Sequence, residues 1–446
     1  MYHSTSSTDE KKLLDAIGVS SFKELVKKVP SKYLNPGLGL QNGLSEMELT
    51  QQLTDLSQKN QTPLSFLGAG AYDHFVSAVV PALAGRGEFS TAYTPYQPEA
   101  SQGTLQTIFE FQSIVAELYG MEVANASLYD GASALAEAAL VSFRQTERKT
   151  LFIPDSLHPH YRRTLETYFQ ENTGYKLVLV GANSQGTIDL DDLQNKLKAH
   201  EGQVAGVVLQ TPNFFGCLEE GEIISKIAHE AGALCIAACN PIAMGLISPP
   251  GEFGADIAVG EGQPLGLPVS FGGPYLGLFA CKKELVRKIP GRICGKTVDV
   301  DGKEAYVLTL QAREQHIRRE KANSNICTNQ NLCATSFTIQ ASLLGPEGLK
   351  ELAELNLQLA HYAADQVAQL PGYKLKFPAP FFNEFVVETP FDGELLQKKM
   401  LDLNILAGLP LKIFYPKLEN HLLINVTERR SKTEIDRLIS ALRSMK

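Results

Sequence analysis

Between residues 150 and 280, short apolar β-branched runs alternate with stretches of helical periodicity, and no other feature limits the fold of this chain so strongly. The runs are Thr150 to Ile153, Lys176 to Val180, Val204 to Leu209, Ala233 to Ala238, Asp256 to Val259 and Tyr275 to Ala280. Helical patterns such as Leu190 to Ala199 and Glu220 to Ala231 lie between them. Apolar strands in this alternation predict a largely parallel sheet covered by helices on both faces. Beyond about residue 330 the pattern changes to long helices (Asn331 to Leu344, Pro346 to Leu370) and separate strands (Glu384 to Glu388, His421 to Val426). The last helix opens with Ser431 and Glu434 at capping-box spacing and places Ile435, Leu438, Ile439 and Leu442 on one face. The expected division is an N-terminal helical arm (1–62), a large α/β domain (63–328) and a smaller C-terminal α/β domain (329–446).

Composition narrows the function. Of 446 residues 44% are hydrophobic and 20% charged, enough apolar surface to exclude disorder for the bulk of the chain. No apolar stretch approaches the roughly 20 residues of a membrane span. The opening MYHSTSSTDEKK puts acids and lysines where a secretory signal has its apolar core, so a cytoplasmic location is expected. The seven cysteines include no CxxC pair, which favours free thiols and speaks against a zinc site; Cys327 reads as an inert buried thiol. A net charge of −8 argues against nucleic acid as a partner. Residues 282 to 321 nevertheless carry a local +5, suited either to an acidic partner or to a solvated face.

Several segments could carry chemistry. Ser127 to Ser133 leads into a helix of small residues, which fits phosphate at free helix N–H groups and fits close helix packing equally well. Tyr93-Thr-Pro-Tyr-Gln-Pro-Glu99 is a rigid loop bearing hydroxyl and amide groups, suited to a ligand pocket or to covering a core edge. Gly272-Gly-Pro274 marks a tight turn near the strand ends. Arg313, His316, Arg318, Arg319 and Lys321 precede the polar run Asn323 to Asn329, as in an oxyanion receptor or an interdomain loop. HExxH, GxSxG and Walker patterns are missing.

The segments FLGAGAYDHFV (66–76), YTPYQPEASQGTLQ (93–106), VANASLYDGASALAEA (123–138), GEGQPLGLPVSFGGPYLG (260–277) and LTLQAREQHIRREKANSNICTNQ (308–330) closely resemble the P-protein family of the glycine cleavage system, glycine dehydrogenase (decarboxylating), in its N-terminal subunit form. The resemblance runs from about residue 10 to the end. It implies a fold-type I pyridoxal-phosphate-dependent transferase-like architecture, with a mainly parallel seven-stranded sheet in the large domain. Such enzymes need a lysine to hold the cofactor and an acid to keep its ring nitrogen protonated. The resemblance implies that Ala238 stands at the acid's place and Gln263-Pro264 at that of the His-Lys pair, and no lysine occurs between Lys226 and Lys282.

The resemblance therefore implies a subunit inactive alone. Pyridoxal 5'-phosphate is expected covalently on a homologous C-terminal subunit, in an α2β2 heterotetramer. Glycine is the implied substrate, lipoylated H-protein the acceptor of the aminomethyl group, and the T- and L-proteins the further partners. Tyr93, Thr94, Tyr96, Gln97, His316, Asn325 and Thr328 are the cross-interface candidates for contact with the partner's cofactor. Two alternatives stand beside this reading: a purely structural scaffold, and an independent pyridoxal-phosphate enzyme using another lysine.

Overall fold

A computed structural model describes residues 6–34, 37, 39–170 and 173–445. The chain divides into two compact units, Met1–Thr62 and Pro63–Lys446. In the first, the helices Ser7–Ile17 and Glu46–Ser57 each start with a reciprocal capping box, Ser6 with Asp9 and Ser45 with Glu48. None of its described residues is buried, and Leu13, Ile17, Phe22 and Leu53 are exposed.

The second unit begins with the two-residue strand β1 (Leu64–Ser65). It continues through β2 (Val123–Ala124), β3 (Thr150–Pro154), β4 (Lys176–Val180), β5 (Val204–Thr211), β6 (Leu234–Cys239), β7 (Ile257–Glu261) and β8 (Gly277–Cys281). Strands β2 to β8 form one seven-stranded sheet in the order β2-β8-β7-β6-β5-β3-β4. Its β7-β6-β5-β3-β4 portion is parallel, and β8 runs antiparallel to β7 and β2.

Successive strand residues point to opposite faces, so each strand feeds two cores. Phe152, Val207, Leu209, Cys235 and Ala237 face the core shared with the helices Gln102–Leu118 and Gly221–Glu230. Leu151, Val208, Ile236 and Val259 face the helix Gly131–Thr146, whose Ala134, Ala136, Ala138 and Ala139 are fully buried. The alanines allow the helix axis to lie close to the strands. A hairpin absent from the sequence reading, β9 (Ile293–Val298) with β10 (Glu304–Thr309), lays Cys294, Tyr306 and Leu308 against Leu105 and Ile108.

The helix Asn331–Ala368 is bent at Gly345 (φ 61°), because Pro346 supplies no N–H and disfavours a helical residue before it. After it come β11 (Lys374–Leu375), β12 (Glu384–Glu388), β13 (Ile405–Leu406), β14 (Leu409–Pro410) and β15 (His421–Asn425). They give an antiparallel sheet β11-β12-β15-β14, while β13 pairs in parallel with β1. The closing helix Lys432–Ser444 buries Ile435, Leu438, Ile439 and Leu442, the face its periodicity predicts. All seven cysteines are free, and Cys327 is half-buried, which corrects the expectation of a buried thiol: it lies in the loop ahead of the long helix, outside every core.

Candidate functional site

An open parallel sheet offers a ligand place beyond the carboxyl ends of its strands. Here those ends, the loop 68–72 and residues Asn383 and Glu384 line a cavity of about 40 Å³. Ala238 and Pro264, two of the three residues read as replacing catalytic groups, both line it, and no lysine does among the described residues. The third, Gln263, is fully buried as a clip. Its Oε1 accepts from the Tyr72 N–H (2.9 Å), and its Nε2 donates to the carbonyls of Tyr72 (2.9 Å) and Leu267 (2.8 Å). A lysine or imidazole could not reproduce this donor and acceptor pattern.

The start of the Gly131–Thr146 helix is occupied by the protein's own acid. Asp130 caps it by accepting from the Ser133 N–H (2.7 Å), and the Gly131 N–H donates to Glu261 Oε2 (3.0 Å). Glu261 Oε1 accepts from the N–H groups of Gln263 (3.0 Å) and Leu276 (2.9 Å). A carboxyl thus stands where a phosphate would otherwise meet free helix donors. Burial pushes the Glu261 carboxyl up to about 8, against the pull of its three backbone donors. Gly131 cannot bear a side chain, since a Cβ there would run into the Tyr161 hydroxyl.

Most of the remaining wall is paired within the chain, although the buried Asn383 Nδ2 has no hydrogen-bond partner. Glu384 accepts from the Ala69 N–H (2.6 Å) and the Tyr72 hydroxyl (2.6 Å), and burial raises its carboxyl to about 7. The His158 Nε2–H donates to the Ala69 carbonyl (2.7 Å) while Nδ1 accepts from the His160 N–H (3.1 Å). Burial lowers this imidazole to about 4, so it is neutral at physiological pH with its tautomer set by its neighbours. Pockets for cofactor-sized ligands run from about 300 Å³ upward. At about 40 Å³, with the Glu261 carboxyl at the helix start, this cavity does not fit pyridoxal phosphate.

The seven cross-interface candidates lie elsewhere, and none lines the cavity. Tyr93 is 80% exposed, Tyr96, Gln97 and Asn325 are exposed, and Thr94 and Thr328 are half-buried. The structure brings Tyr96 and His316 together, with ring centroids 5.5 Å apart. Asn325 and Thr328 make no hydrogen bond to either ring. Beneath the two rings lie Arg292 and Glu314, which sequence reasoning missed. Arg292 Nη2 is 3.4 Å from the Tyr96 hydroxyl, Nη1 is 3.4 Å from Asn329 Oδ1, and Nε is 3.7 Å from Glu314 Oε2. His316 Nδ1 stands 3.7 Å from the same Glu314 oxygen. No spacing rule joins Arg292 to Tyr96. Glu261, by contrast, sits two residues before Gln263, where an acid close to the expected lysine position is a readable signal.

The basic segment is less free than its count suggests. Lys282 pairs with Asp256, Lys296 with Glu304, and Arg313 is buried among the carbonyls of Ile289, Gly291 and Leu310. Arg318, Arg319 and Lys321 remain exposed.

A family profile described as "Glycine cleavage system P-protein" matches residues 1–442. The "Probable glycine dehydrogenase (decarboxylating) subunit 1" of Desulfitobacterium hafniense is 50% identical over 441 residues, with 98% of each chain covered. Among solved structures, a glycine decarboxylase (P-protein) of the glycine cleavage system, in inhibitor-bound form, superposes with a TM-score of 0.90 at 41% identity, covering 99% of both chains. A sphingosine-1-phosphate lyase from Burkholderia pseudomallei shares the fold at 15% identity, with a TM-score of 0.65 over 93% of each chain. The fold is that of the fold-type I transferase-like enzymes expected from the sequence. With half its residues shared with a curated relative over nearly the full length, the chain belongs to the glycine cleavage system P-protein family.

Proposed function

We propose that this chain is the lysine-lacking subunit of a two-subunit P-protein that decarboxylates glycine and passes the remaining aminomethyl group to the lipoyl group of H-protein. The observation that carries this is the small cavity at the strand ends: Ala238, Gln263 and Pro264 offer no amine or acid, and the Glu261 carboxyl takes the helix terminus. Pyridoxal phosphate, which supplies an electron sink for decarboxylation when bound, belongs on a homologous C-terminal subunit. The two chains pair as an α2β2 heterotetramer in the cytoplasm, alongside the T- and L-proteins.

In this reading the chain serves its partner's site across the interface. Tyr93, Thr94, Tyr96, Gln97, His316, Asn325 and Thr328 are the residues that reach toward the partner's cofactor and bound glycine. They sit on loops at the surface and away from the chain's own cavity, which supports a role directed outward. The exposed Arg318 and Arg319 are the candidates for meeting the H-protein. Reversing both to Glu is expected to weaken H-protein use and flatten its salt dependence, and an unchanged salt slope would remove them from the docking surface.

The test is to purify this chain alone, add pyridoxal phosphate, and look for a visible absorption band that borohydride fixes covalently to lysine. The expected result is no such band until the homologous subunit is present. A fixed band on the isolated chain would place an active site within it and overturn the reading.

A further inference from the structure

A buried guanidinium is costly unless its hydrogen bonds are good, and those of Arg292 are poor. Its side chain is 3% exposed, yet its hydrogen bonds to Tyr96 and Asn329 are both 3.4 Å long. Its counter-ion Glu314, 5% exposed, stays 3.7 Å away. Among the described residues, Arg292 Nε and Glu314 Oε1 are buried with no hydrogen-bond partner. Desolvating such a pair costs several kcal/mol per ion, and loose contacts offset little of that. Stability alone does not account for the arrangement.

Its geometry does. The guanidinium carbon lies 5.6 Å from the centre of the Tyr96 ring, within cation–π range, and Nη2 meets the hydroxyl of the same residue. The other arm meets Asn329, whose Nδ2 donates to the Ala126 carbonyl (3.0 Å), while the Ala126 N–H donates to the Arg292 carbonyl (2.8 Å). Arg292 is therefore anchored at the start of the β9–β10 hairpin and holds Tyr96 by both ring face and hydroxyl. Glu314 Oε2 lies 3.7 Å from both Arg292 Nε and His316 Nδ1. One buried ion pair thus sets two rings, carried by loops some 220 residues apart in the chain.

We infer that Arg292 and Glu314 are positioning residues, which fix Tyr96 and His316 for presentation to the partner's active site. The inference rests on the proposal that these loops serve that site in trans. Only a planar fork can contact the Tyr96 ring, its hydroxyl and Asn329 together, so lysine is no substitute.

The test uses this chain assembled with its homologous lysine-bearing subunit, comparing Arg292→Lys, Tyr96→Ala and the double variant. Readouts are kcat and KM for glycine, the visible spectrum of the partner's cofactor, and assembly by size exclusion. Arg292→Lys is expected to leave assembly intact and to lower kcat/KM by about tenfold. Added to Tyr96→Ala it should cost less than about twofold more, because the residue it acts through is gone. Penalties that multiply would overturn the inference, as would full activity of Arg292→Lys beside an impaired Tyr96→Ala. Full activity of Tyr96→Ala, His316→Ala and Thr328→Ala together would instead overturn the trans contribution itself, and the inference with it. Should Arg292→Lys not assemble, Glu314→Gln combined with His316→Ala runs the same cycle on the other arm.

Discussion

Gln263, read from the sequence as replacing a catalytic residue, has a structural role in this fold. Its carboxamide ties the loop at Tyr72 to the exit of β7 through three hydrogen bonds, one fully and two partly buried. Gln263→Ala would leave the Tyr72 N–H and two carbonyls without partners, and is expected to destabilise the chain by about 2–4 kcal/mol in urea unfolding. Replacing the neighbour alone should restore nothing. Pro264→Lys gives an amine to a cavity of about 40 Å³ whose helix terminus already holds Glu261, so the isolated variant should still take up no borohydride-fixable pyridoxal phosphate. Uptake by that single variant would show that the cavity opens more readily than its hydrogen bonds indicate.

The elements were legible to different degrees, for physical reasons. β4 and the helix Leu190–Ala199 have the bounds their patterns predict, because apolar runs and caps are local signals. The closing helix is equally local: Ser431→Ala removes a reciprocal cap and should cost about 1 kcal/mol, read as a lower thermal midpoint. The β9–β10 hairpin escaped notice because only Ile293, Cys294, Tyr306 and Leu308 are buried, while its tip carries Asp299, Asp301 and Lys303. Its strand character depends on the helix beneath it. The candidate site divides the same way. Ala238 and Gln263-Pro264 could be read from the line of the sequence, whereas the closure by Glu261 and the Arg292 pair exist only once distant segments meet.

Across the whole molecule, buried carboxyls give stability a definite pH profile. Burial raises Glu137, Glu219 and Glu384 to about 7 and Glu261 to about 8, all above an unfolded value near 4.5. Between pH 4.5 and 8 the folded chain therefore binds more protons than the unfolded one, and stability should fall as pH rises through that window. Glu428 acts in the opposite sense. Burial raises it, but hydrogen bonds from His74, the Phe75 N–H and Asn356 prevail and hold it at about 2, so its contribution is lost as pH falls from 4.5 toward 2. Urea midpoints of the isolated chain should peak on the acid side of neutrality. Glu261→Gln should flatten the alkaline slope, and Glu428→Ala should cost about 3 kcal/mol at pH 6 by breaking the buried pair with His74. A flat profile from pH 5 to 8 would contradict the assignment of these carboxyls. The acid at the helix start also limits how this site can change. Removing it strands three N–H donors, and replacing Gln263 strands the Tyr72 loop, so any change that makes room for a cofactor here weakens the fold before a ligand can compensate. The two clips act together as a lock, and opening the site would require several changes at once.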